Sequence, residues 1–310
     1  MPAAATPTVT VTVVGSLNYD LVLGTPRLPG RGETIIATSS TTGSGGKGAN
    51  QAAAAGALSS GVSMVGRVGD DDAGAGMIDD LIARDVDVRH VLRTAGVPSG
   101  VATVVVEEGT GENLIVVGPG ANGRLEPADV EDQVVRTAAV VLLQLEVPMS
   151  TVVAAARAAT GIVVLNPAPT AALPTELVAL VDVLVPNEGE LTRLVAASDD
   201  DGSSSLEAIE RRARTIGVGD VVVTLGARGA LVVPAEGACR LVEPPAVDPV
   251  DTTGAGDCFC GALSVALAEG SSLIEATRFA VAAAALSTTG HGARGGLPDR
   301  AAVDALLAAS

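Results

Sequence analysis

Aromatic residues are nearly absent from this chain of 310 residues, which contains two Phe, one Tyr and no Trp. Hydrophobic residues still make up 47% of the sequence, so its core must be built from Val, Leu, Ile and Ala. A hydrophobic fraction this high excludes an intrinsically disordered chain. The length allows one large domain or two ordinary ones.

Basic residues are scarce. Lys and Arg total 19 against 36 Asp and Glu, which gives a formal net charge of −17. Nucleic acids and anionic membranes both favour basic surfaces, so we expect neither as a partner. No uninterrupted apolar run reaches the roughly 18 residues of a membrane span. An anionic ligand would need local help from backbone dipoles, a few cations or a metal ion.

Cysteines are also few. Cys239, Cys258 and Cys260 form neither an even set nor a metal-binding spacing. Free thiols suit a reducing compartment. Residues 1–14 carry no positively charged side chain and lack the layout of a signal peptide. We therefore expect a cytoplasmic protein.

Strand-like and helix-like runs alternate from about residue 125 onward. Strands are predicted at Val140–Leu145, Ile162–Leu165 and Val221–Leu225, with helices at Thr151–Ala159 and Leu206–Ile216. This alternation predicts βαβ units and a mostly parallel sheet covered by helices. The polar stretch Asp199–Ser205 predicts a surface loop.

Two segments do not fit this alternation. One is a Thr- and Ile-rich strand at about 33–42, and the other is a hairpin within about 97–118. We interpret both as a small β-sheet inserted into a larger α/β body. The whole chain, 1–310, is then a single domain.

The only lysine of the chain, Lys47, lies in a glycine-rich loop, Gly43–Asn50, that opens an Ala-rich helix. Lysine binds phosphate as a point charge, so this position favours a functional role. A composition bias that spared one lysine by accident is the alternative. A Gly-x-Gly-x-x-Gly pattern also occurs here, but with 37 glycines such matches are expected by chance.

A second glycine-rich segment, Asp251–Asp257, reads Asp-Thr-Thr-Gly-Ala-Gly-Asp and precedes an apolar helix. Its backbone amides would lie at a helix N-terminus, where anions bind. A carboxylate at Asp257 would repel a phosphate, but it could accept a proton from an attacking hydroxyl. The sequence equally allows Asp257 to cap the helix.

Polar side chains follow several predicted strands. A loop after the first strand, Val9–Val14, carries Asn18 and Asp20, which would share one face of an extended chain. Glu146 and Asn187 each follow another strand. Ligands bind at the carboxyl ends of parallel strands, so we expect these side chains to converge, although each alone is an ordinary loop residue.

Together these segments resemble the ribokinase (PfkB) family of carbohydrate kinases, in the family's order from residue 15 to 257. The two family signatures are the segments Gly45–Gln51 and Asp251–Asp257. The other matching pieces are Gly15–Asp20, Pro29–Thr34, Gly69–Asp71, Gln144–Glu146, Asn166–Pro169, Pro186–Glu188 and Thr224–Gly229. The resemblance implies a three-layer α/β/α body with a mostly parallel sheet, and a small β-sheet lid that forms a homodimer contact.

The resemblance also implies transfer of the ATP γ-phosphoryl group to a sugar hydroxyl, which for ribose is the 5-hydroxyl. Asp257 would be the base, and the amides of Gly254, Ala255 and Gly256 would form an anion hole. The sugar would be held by Asn18, Asp20, Gly46, Lys47, Asn50, Glu146 and Asp257.

The remaining implied sites concern the nucleotide and its cations. The nucleotide would be lined by Asn187, Thr224, Gly226, Gly229 and Gly256. Mg²⁺ would bridge the phosphates through water near Asn187 and Glu190. Members of the family also bind a monovalent cation, usually K⁺, whose ligands here would be Asp251, Thr253, Ser287, Gly290, Gly292 and Gly296.

The sequence narrows the choice of sugar. The lid segments contain no aromatic residue to stack a nucleoside base. Only Arg27, Arg31 and Lys47 lie near the sugar motifs, which are few cations for a phosphorylated sugar. A small neutral sugar is therefore expected, with ribose first and 2-deoxyribose, fructose or a nucleoside as alternatives. An inactive sugar-binding protein and a dinucleotide-dependent oxidoreductase remain open as other classes.

Overall fold

The computed structural model describes residues 10–195 and 203–309, which contain two β-sheets and flanking helices. The strands are, in chain order, β1 (Val11–Val14), β2 (Asn18–Thr25), β3 (Ser39–Gly45), β4 (Val62–Gly69), β5 (Val86–Thr94), β6 (Gly100–Glu107), β7 (Asn113–Gly118), β8 (Val140–Leu143), β9 (Ile162–Leu165), β10 (Val183–Leu184), β11 (Asp220–Thr224), β12 (Ala230–Val233) and β13 (Arg240–Val242). The α-helices are α1 (Lys47–Leu58), α2 (Asp72–Ile82), α3 (Pro127–Val130), α4 (Gln133–Arg136), α5 (Met149–Ala158), α6 (Thr175–Val178), α7 (Glu188–Leu194), α8 (Leu206–Thr215), α9 (Ala255–Ala268), α10 (Leu273–Ser287), α11 (Gly292–Gly295) and α12 (Arg300–Ala309).

The larger sheet has the order β13-β12-β11-β10-β9-β8-β1-β4-β5. Its strands pair in parallel from β11 through β5, and β12 and β13 extend one edge in antiparallel fashion. Strands buried on both faces are continuously apolar, as the sequence of β8, Val-Val-Leu-Leu, illustrates. This arrangement confirms the predicted, mostly parallel sheet.

Alternate residues of the central strands feed two separate cores. Val140 and Leu142 pack in the core that also contains α1, α9 and α10. Val141 and Leu143 pack in the core that contains α5 and α8. Because successive side chains of a strand point to opposite faces, one apolar run serves both layers of helices. The result is the expected three-layer α/β/α body.

The smaller sheet has the order β3-β2-β6-β7. The hairpin predicted within 97–118 is confirmed, since β6 and β7 pair antiparallel. The strand predicted at 33–42 is wrong in its bounds: it runs over Ser39–Gly45, because pairing with β2 begins only where Ser39 meets Gly24. The first glycines of the predicted loop therefore belong to a strand.

Asn18 and Asp20 were predicted in a loop, and this too is wrong, because both lie on β2. Strand β2 is central in the small sheet and pairs with β3 on one side and β6 on the other. That double ladder holds the segment extended despite its polar residues. Of the other predictions, Val9 in the first strand and residues 199–202 of the Asp199–Ser205 loop lie outside the described residues.

The topology concentrates strand ends at one edge of the large sheet. Strand β2 begins four residues after β1 ends, so the small sheet stands at the carboxyl edge of the parallel strands. Helices α1 and α9 both begin at that edge, which is where open α/β sheets bind ligands. Among the described residues, no helix is long and apolar enough to cross a membrane.

Candidate active site

The carboxylate of Asp257 lies in the first turn of α9 and is only 8% exposed. Its Oδ2 accepts a hydrogen bond from Asn50 Nδ2 at 3.1 Å, and its Oδ1 accepts one from Gln51 Nε2 at 3.0 Å. Both donors come from α1, so Asp257 is not used as a helix cap. The N-cap residue of α9 is instead Gly254, at φ +78°. This geometry separates the two interpretations that the sequence left open.

Close packing of α1 against α9 makes these hydrogen bonds possible. A Cβ atom at Gly261, one turn beyond Asp257, would lie 2.6 Å from the carbonyl oxygen of Gln51. Any larger residue at that position would push the two helices apart and lengthen both bonds to Asp257. Glycine is therefore required there for close approach of the two backbones.

The two glycines at the start of α9, Gly254 and Gly256, have different surroundings: the first packs against the C-terminal loop, and the second faces open space. A Cβ at Gly254 would lie 2.7 Å from Ala293, so the positive φ and the lack of room both require glycine. Gly256 faces open space and lines the cavity beside Asp257. The amide of Ala255, predicted in the anion hole, donates to the carbonyl of Thr252 at 3.2 Å.

A cavity of about 220 Å³ opens beside Asp257. It brings Lys47 close to several carboxylates. Burial alone would lower the pKa of Lys47, but Asp257, Glu146 and Glu190 outweigh it and raise that pKa above its usual value. The only lysine therefore stays charged at the site. The cavity is lined by Lys47, Asn166, Val185, Asn187, Glu190, Thr224, Gly254, Gly256, Asp257 and Cys260.

A larger groove of about 620 Å³ adjoins this cavity and shares Asn187, Thr224 and Gly256 with it. Gly226 and Gly229 also line the groove, so all five residues predicted for the nucleotide meet there. The rest of the lining is mainly apolar and includes Pro244, Pro245, Ala246, Val247, Pro249, Phe259, Val281, Ala284 and Ala285. A groove with an apolar lining and a few polar residues suits the base of a nucleotide against the apolar part and the phosphates near the polar residues.

Glu146 holds the start of α1 in place. Its Oε2 accepts hydrogen bonds from Ser16 Oγ at 2.5 Å and from the Lys47 amide at 3.0 Å. Gly46 has φ +86°, and a Cβ there would lie 2.7 Å from the amide nitrogen of Asn18. The predicted sugar-binding residues therefore share one small region, where β1, β2 and α1 meet.

Asn18 and Asp20 project from the same face of β2, as their spacing predicts. Asn18 Oδ1 accepts a hydrogen bond from Asn122 Nδ2 at 2.8 Å. The carboxylate of Asp20 packs over Gly45, and its buried Oδ1 has no hydrogen-bond partner among the described residues. An unpaired buried oxygen costs free energy, which is characteristic of an atom that a ligand satisfies.

Burial raises the pKa of Asp20 to about 6. The positive charge of Arg294 opposes this rise, and the negative charges of Glu146 and Asp257 add to it. Several carboxylates thus share a confined region, so a hydroxyl-rich ligand that donates hydrogen bonds would be favoured there.

The residues predicted to bind a monovalent cation are brought together. Asp251 Oδ1 accepts from the Thr253 amide at 2.9 Å, and its Oδ2 accepts from the Gly292 amide at 2.8 Å. Burial opposes ionisation of Asp251, but hydrogen bonds from the Thr253 side chain and from these two amides outweigh it and lower the pKa of Asp251. Packing is tight, since a Cβ at Gly290 would lie 2.5 Å from the amide nitrogen of Gly296, and one at Gly296 would clash with the carbonyl oxygen of Ser287.

The described residues offer few side-chain ligands for a divalent metal ion. Within 10–195 and 203–309, no group of three or more His, Cys, Asp or Glu could hold a metal ion. Glu190 lines the cavity, but its Oε2 also accepts from the Asn187 amide at 2.8 Å as part of a helix-capping box. Glu190 and Asp257 are the two carboxylates that line this polar cavity, too few to hold a divalent ion alone, which fits an ion that is bound mainly by the phosphates and by water.

Comparison with known proteins identifies the family. The model of the pfkB family of carbohydrate kinases matches residues 9–300. The chain belongs to this family. It is therefore a phosphotransferase that acts on the hydroxyl group of a sugar-like substrate, and the inactive protein and the oxidoreductase are set aside.

Individual relatives cover nearly the whole chain. The ribokinase of Schizosaccharomyces pombe is 38% identical over 309 residues, which are 96% of this chain and 97% of that protein. The structure of Arabidopsis thaliana ribokinase with ribose and ATP is 36% identical, with a TM-score of 0.86 over 96% of this chain and 98% of that one. A deoxyribokinase of Salmonella typhi is 34% identical, over 93% of this chain and 95% of that protein.

Several functional candidates were missed by reasoning from the sequence. Arg294 donates to Asn50 Oδ1 at 2.9 Å, and Gln144 Nε2 donates to Gln51 Oε1 at 2.6 Å. The signal for Gln144 was its place two residues before Glu146 at a strand end. For Arg294, the signal was a single cation in a glycine-rich tail. The apolar groove residues carry no signal of their own.

The unusual pKa of Asp20 predicts a pH-dependent effect on stability. Its usual pKa is 3.8, and about 6 in the folded protein. The folded state thus binds the proton more tightly, so ionisation of Asp20 lowers the free energy of unfolding as pH rises through this window. We expect Asp20→Asn to melt above the parent at about pH 7.5, with a difference that shrinks towards about pH 5.

Thermal melts of both proteins across this pH range would check the expectation. Asp79→Asn is a suitable control, because Asp79 is an exposed carboxylate on α2. It shows what the loss of a carboxylate outside the site does to the melting temperature under the same conditions. A difference for Asp20→Asn that is equally large at both ends of the range would contradict the raised pKa.

Proposed function

We propose that this protein is an ATP-dependent kinase that phosphorylates D-ribose on its 5-hydroxyl and produces ribose 5-phosphate. The observation that carries the proposal is the position of Asp257. Its carboxylate is bonded by the side-chain amides of Asn50 and Gln51 on the proposed sugar side. On the proposed nucleotide side it lies beside the glycine-rich start of α9. A base placed between two such sites suits transfer of a phosphoryl group from one ligand to the other.

In the proposed reaction, the 5-oxygen of ribose attacks the γ-phosphorus of ATP. The bond from that phosphorus to the β–γ bridging oxygen breaks, and ADP leaves with the electron pair. Asp257 accepts the proton that the hydroxyl loses. Two side-chain amides hold this carboxylate in one orientation, so little rearrangement is needed as the proton moves.

The negative charge of the transferring group needs positive partners. The N-terminus of α9 offers the amides of Gly254, Ala255 and Gly256 to this group. The Ala255 amide would first have to leave its long hydrogen bond to Thr252. Lys47 lines the same cavity and would supply the side-chain cation.

Cations complete the proposed nucleotide site. Mg²⁺ would be held by the ATP phosphates, with Glu190 and Asn187 bonding its water ligands, and would neutralise phosphate charge. K⁺ would be held by Asp251, Thr253, Ser287, Gly290, Gly292 and Gly296, mainly through backbone carbonyls. A donor set of oxygens alone fits an alkali-metal ion.

Sugar recognition follows from the residues around the start of α1. Asp20 and Glu146 would supply carboxylate oxygens, and Asn18 an amide oxygen, that accept hydrogen bonds from hydroxyl groups. Asn50, whose amide bonds Arg294 and Asp257, would lie against the sugar beside them. Gly46 permits close approach of the backbone. The unpaired oxygen of Asp20 supports a ligand rich in hydroxyl donors.

We also propose a homodimer formed through the lid, which is the four-stranded sheet β3-β2-β6-β7. Its edge strand β7 leaves Leu114, Ile115, Val116 and Val117 at least 44% exposed, an apolar surface that a second copy would cover. The cytoplasm is the proposed compartment, because all three cysteines are free thiols.

A second candidate is 2-deoxyribose. The similarity to a deoxyribokinase, at 34% identity, is close to the similarity to ribokinases. One hydroxyl separates the two sugars, so the residue that reads it decides the outcome. A site built to bond a hydroxyl strongly rejects the analogue that lacks it.

The first experiment measures ADP release from ATP and Mg²⁺ in potassium buffer, with ribose, 2-deoxyribose, fructose and adenosine tested side by side. We expect the highest kcat/KM with ribose, because the oxygens of Asn18, Asp20 and Glu146 would accept hydrogen bonds from its hydroxyls. A higher kcat/KM with 2-deoxyribose would identify that sugar, and not ribose, as the preferred substrate. Absence of turnover with all four would overturn the proposed function.

The role of Asp257 is tested by Asp257→Asn. We expect kcat to fall at least ~10²-fold, the lower range for losing a general base, while ribose still binds. Stopped assays and ribose titration calorimetry would measure the two quantities. Asp79→Asn, an exposed carboxylate on α2, should leave kcat unchanged. A near-normal kcat in Asp257→Asn would show that Asp257 is not the general base.

The cation site predicts a choice between salts. Turnover should be several-fold higher in K⁺ than in Na⁺ at equal ionic strength, because a ring of oxygens selects by ion size. Asp251→Ala should lose most of this difference. Equal rates of the parent in both salts would argue against the cation site and leave the proposed kinase reaction intact.

A further inference from the structure

Arg294 is a buried arginine outside the predicted site, and its side chain bonds one predicted site residue, Asn50. Arg294 lies on α11, and its side chain is only 7% exposed. Its Nε donates to Asn50 Oδ1 at 2.9 Å, its Nη1 pairs with Asp80, and its Nη2 donates to the Gly45 carbonyl at 3.4 Å. The guanidinium therefore joins the C-terminal loop to α1, α2 and β3.

The contact between Arg294 and Asn50 sets the orientation of the Asn50 side-chain amide. A guanidinium has only donors, so it must face the oxygen of the amide. The Asn50 nitrogen then faces the other way, and its Nδ2 donates to Asp257 Oδ2 at 3.1 Å. With the amide reversed, the Asn50 oxygen would face a carboxylate oxygen, and two acceptors repel each other.

Gln51 is turned by a different residue. Asn166 Nδ2 donates to the Val185 carbonyl at 2.9 Å, so the Asn166 oxygen is left to accept from Gln51 Nε2 at 3.2 Å. The same Nε2 donates to Asp257 at 3.0 Å, and Gln51 Oε1 accepts from Gln144 Nε2 at 2.6 Å. Asp257 is therefore held by two independent arms. Arg294 orients only the arm that passes through Asn50.

We propose that Arg294 is a positioning residue for phosphoryl transfer, acting by fixing the orientation of the Asn50 amide so that it donates to Asp257. The proposal rests on the proposed function, in which Asp257 is the base and Asn50 a sugar ligand. Arg294 lies outside the reacting groups. Its proposed route to the reaction is through Asn50, while its charge also opposes the rise in the pKa of Asp20, an effect that would persist in an Asn50→Ala background.

A purely structural role makes a different prediction. Asp80 pairs with Arg294 and also with Arg84, whose Nε lies 3.5 Å from Asp80 Oδ1. If Arg294 merely joined α2 to the C-terminal loop, its loss would lower stability but would act equally whether or not Asn50 is present. Arg84→Met removes a charge from the same carboxylate without touching Asn50, so it is the matched control.

The test compares Arg294→Met with the parent in steady-state kinetics. We expect kcat/KM for ribose to fall about tenfold or more, the size for losing a hydrogen bond to a charged group. KM for ATP should stay the same, because neither Arg294 nor Asn50 lines the nucleotide groove. Arg84→Met should stay within about twofold of the parent.

A double-mutant cycle with Asn50→Ala decides between the two roles. If Arg294 acts through Asn50, Arg294→Met should change kcat/KM by less than about twofold in the Asn50→Ala background. An undiminished tenfold loss in that background would overturn the proposal. So would a rise in KM for ATP as large as the loss with ribose.

Arg294→Lys covers the case in which the methionine variant does not fold. Lysine keeps a donor for Asn50, so its activity should lie above that of Arg294→Met, and its remaining loss should also vanish in the Asn50→Ala background. A loss that persists there would equally overturn the proposal. If the parent does not phosphorylate ribose at all, the proposed function fails instead, so the two failures are distinguishable.

Discussion

The structure of the site depends on one requirement: the buried carboxylate of Asp257 must receive hydrogen bonds. A charge removed from water is tolerated only when polar groups replace the water. Asn50 and Gln51 are those groups, and both lie on α1. Helices α1 and α9 must therefore pack closely, and Gly261 makes that contact possible. The signature glycines serve other close approaches: a Cβ at Gly46 would meet the amide nitrogen of Asn18, and one at Gly254 would meet Ala293.

Local amide groups make this arrangement specific. An amide can be reversed with little change in shape, so each one needs a partner that accepts only one orientation. Arg294, which has only donors, plays that part for Asn50, and the carboxylate of Asp257, which only accepts, plays it for Gln51 together with the Asn166 oxygen. Arg294 shares its short helix with Gly292, whose amide binds Asp251. The C-terminal loop thus touches the sugar side and the proposed cation site at once.

The sequence predicted the main body well and brought the central site residues to one edge of the sheet, because both leave local patterns. Continuous apolar runs such as Val140–Leu143 announce buried parallel strands, and the segment Asp251–Asp257 is a motif in itself. Strand β2 was missed because its polar residues are held extended by ladders on both sides, which is a long-range effect. Arg294 was missed for the same reason: its partner Asn50 lies 244 positions away in the chain. The site residues beyond the motif therefore required the fold.

A protein with a net charge of −17 must still bind a polyanion such as ATP. Long-range electrostatics oppose this binding, so attraction has to be local. Within the cavity beside Asp257, Lys47 is the only basic side chain in the lining, and carboxylates raise its pKa above the usual value. The amides at the start of α9 add partial positive charge without adding a side chain. The same carboxylates would repel free phosphate, so the site favours a nucleotide that brings its own cation and buries its base in the apolar groove.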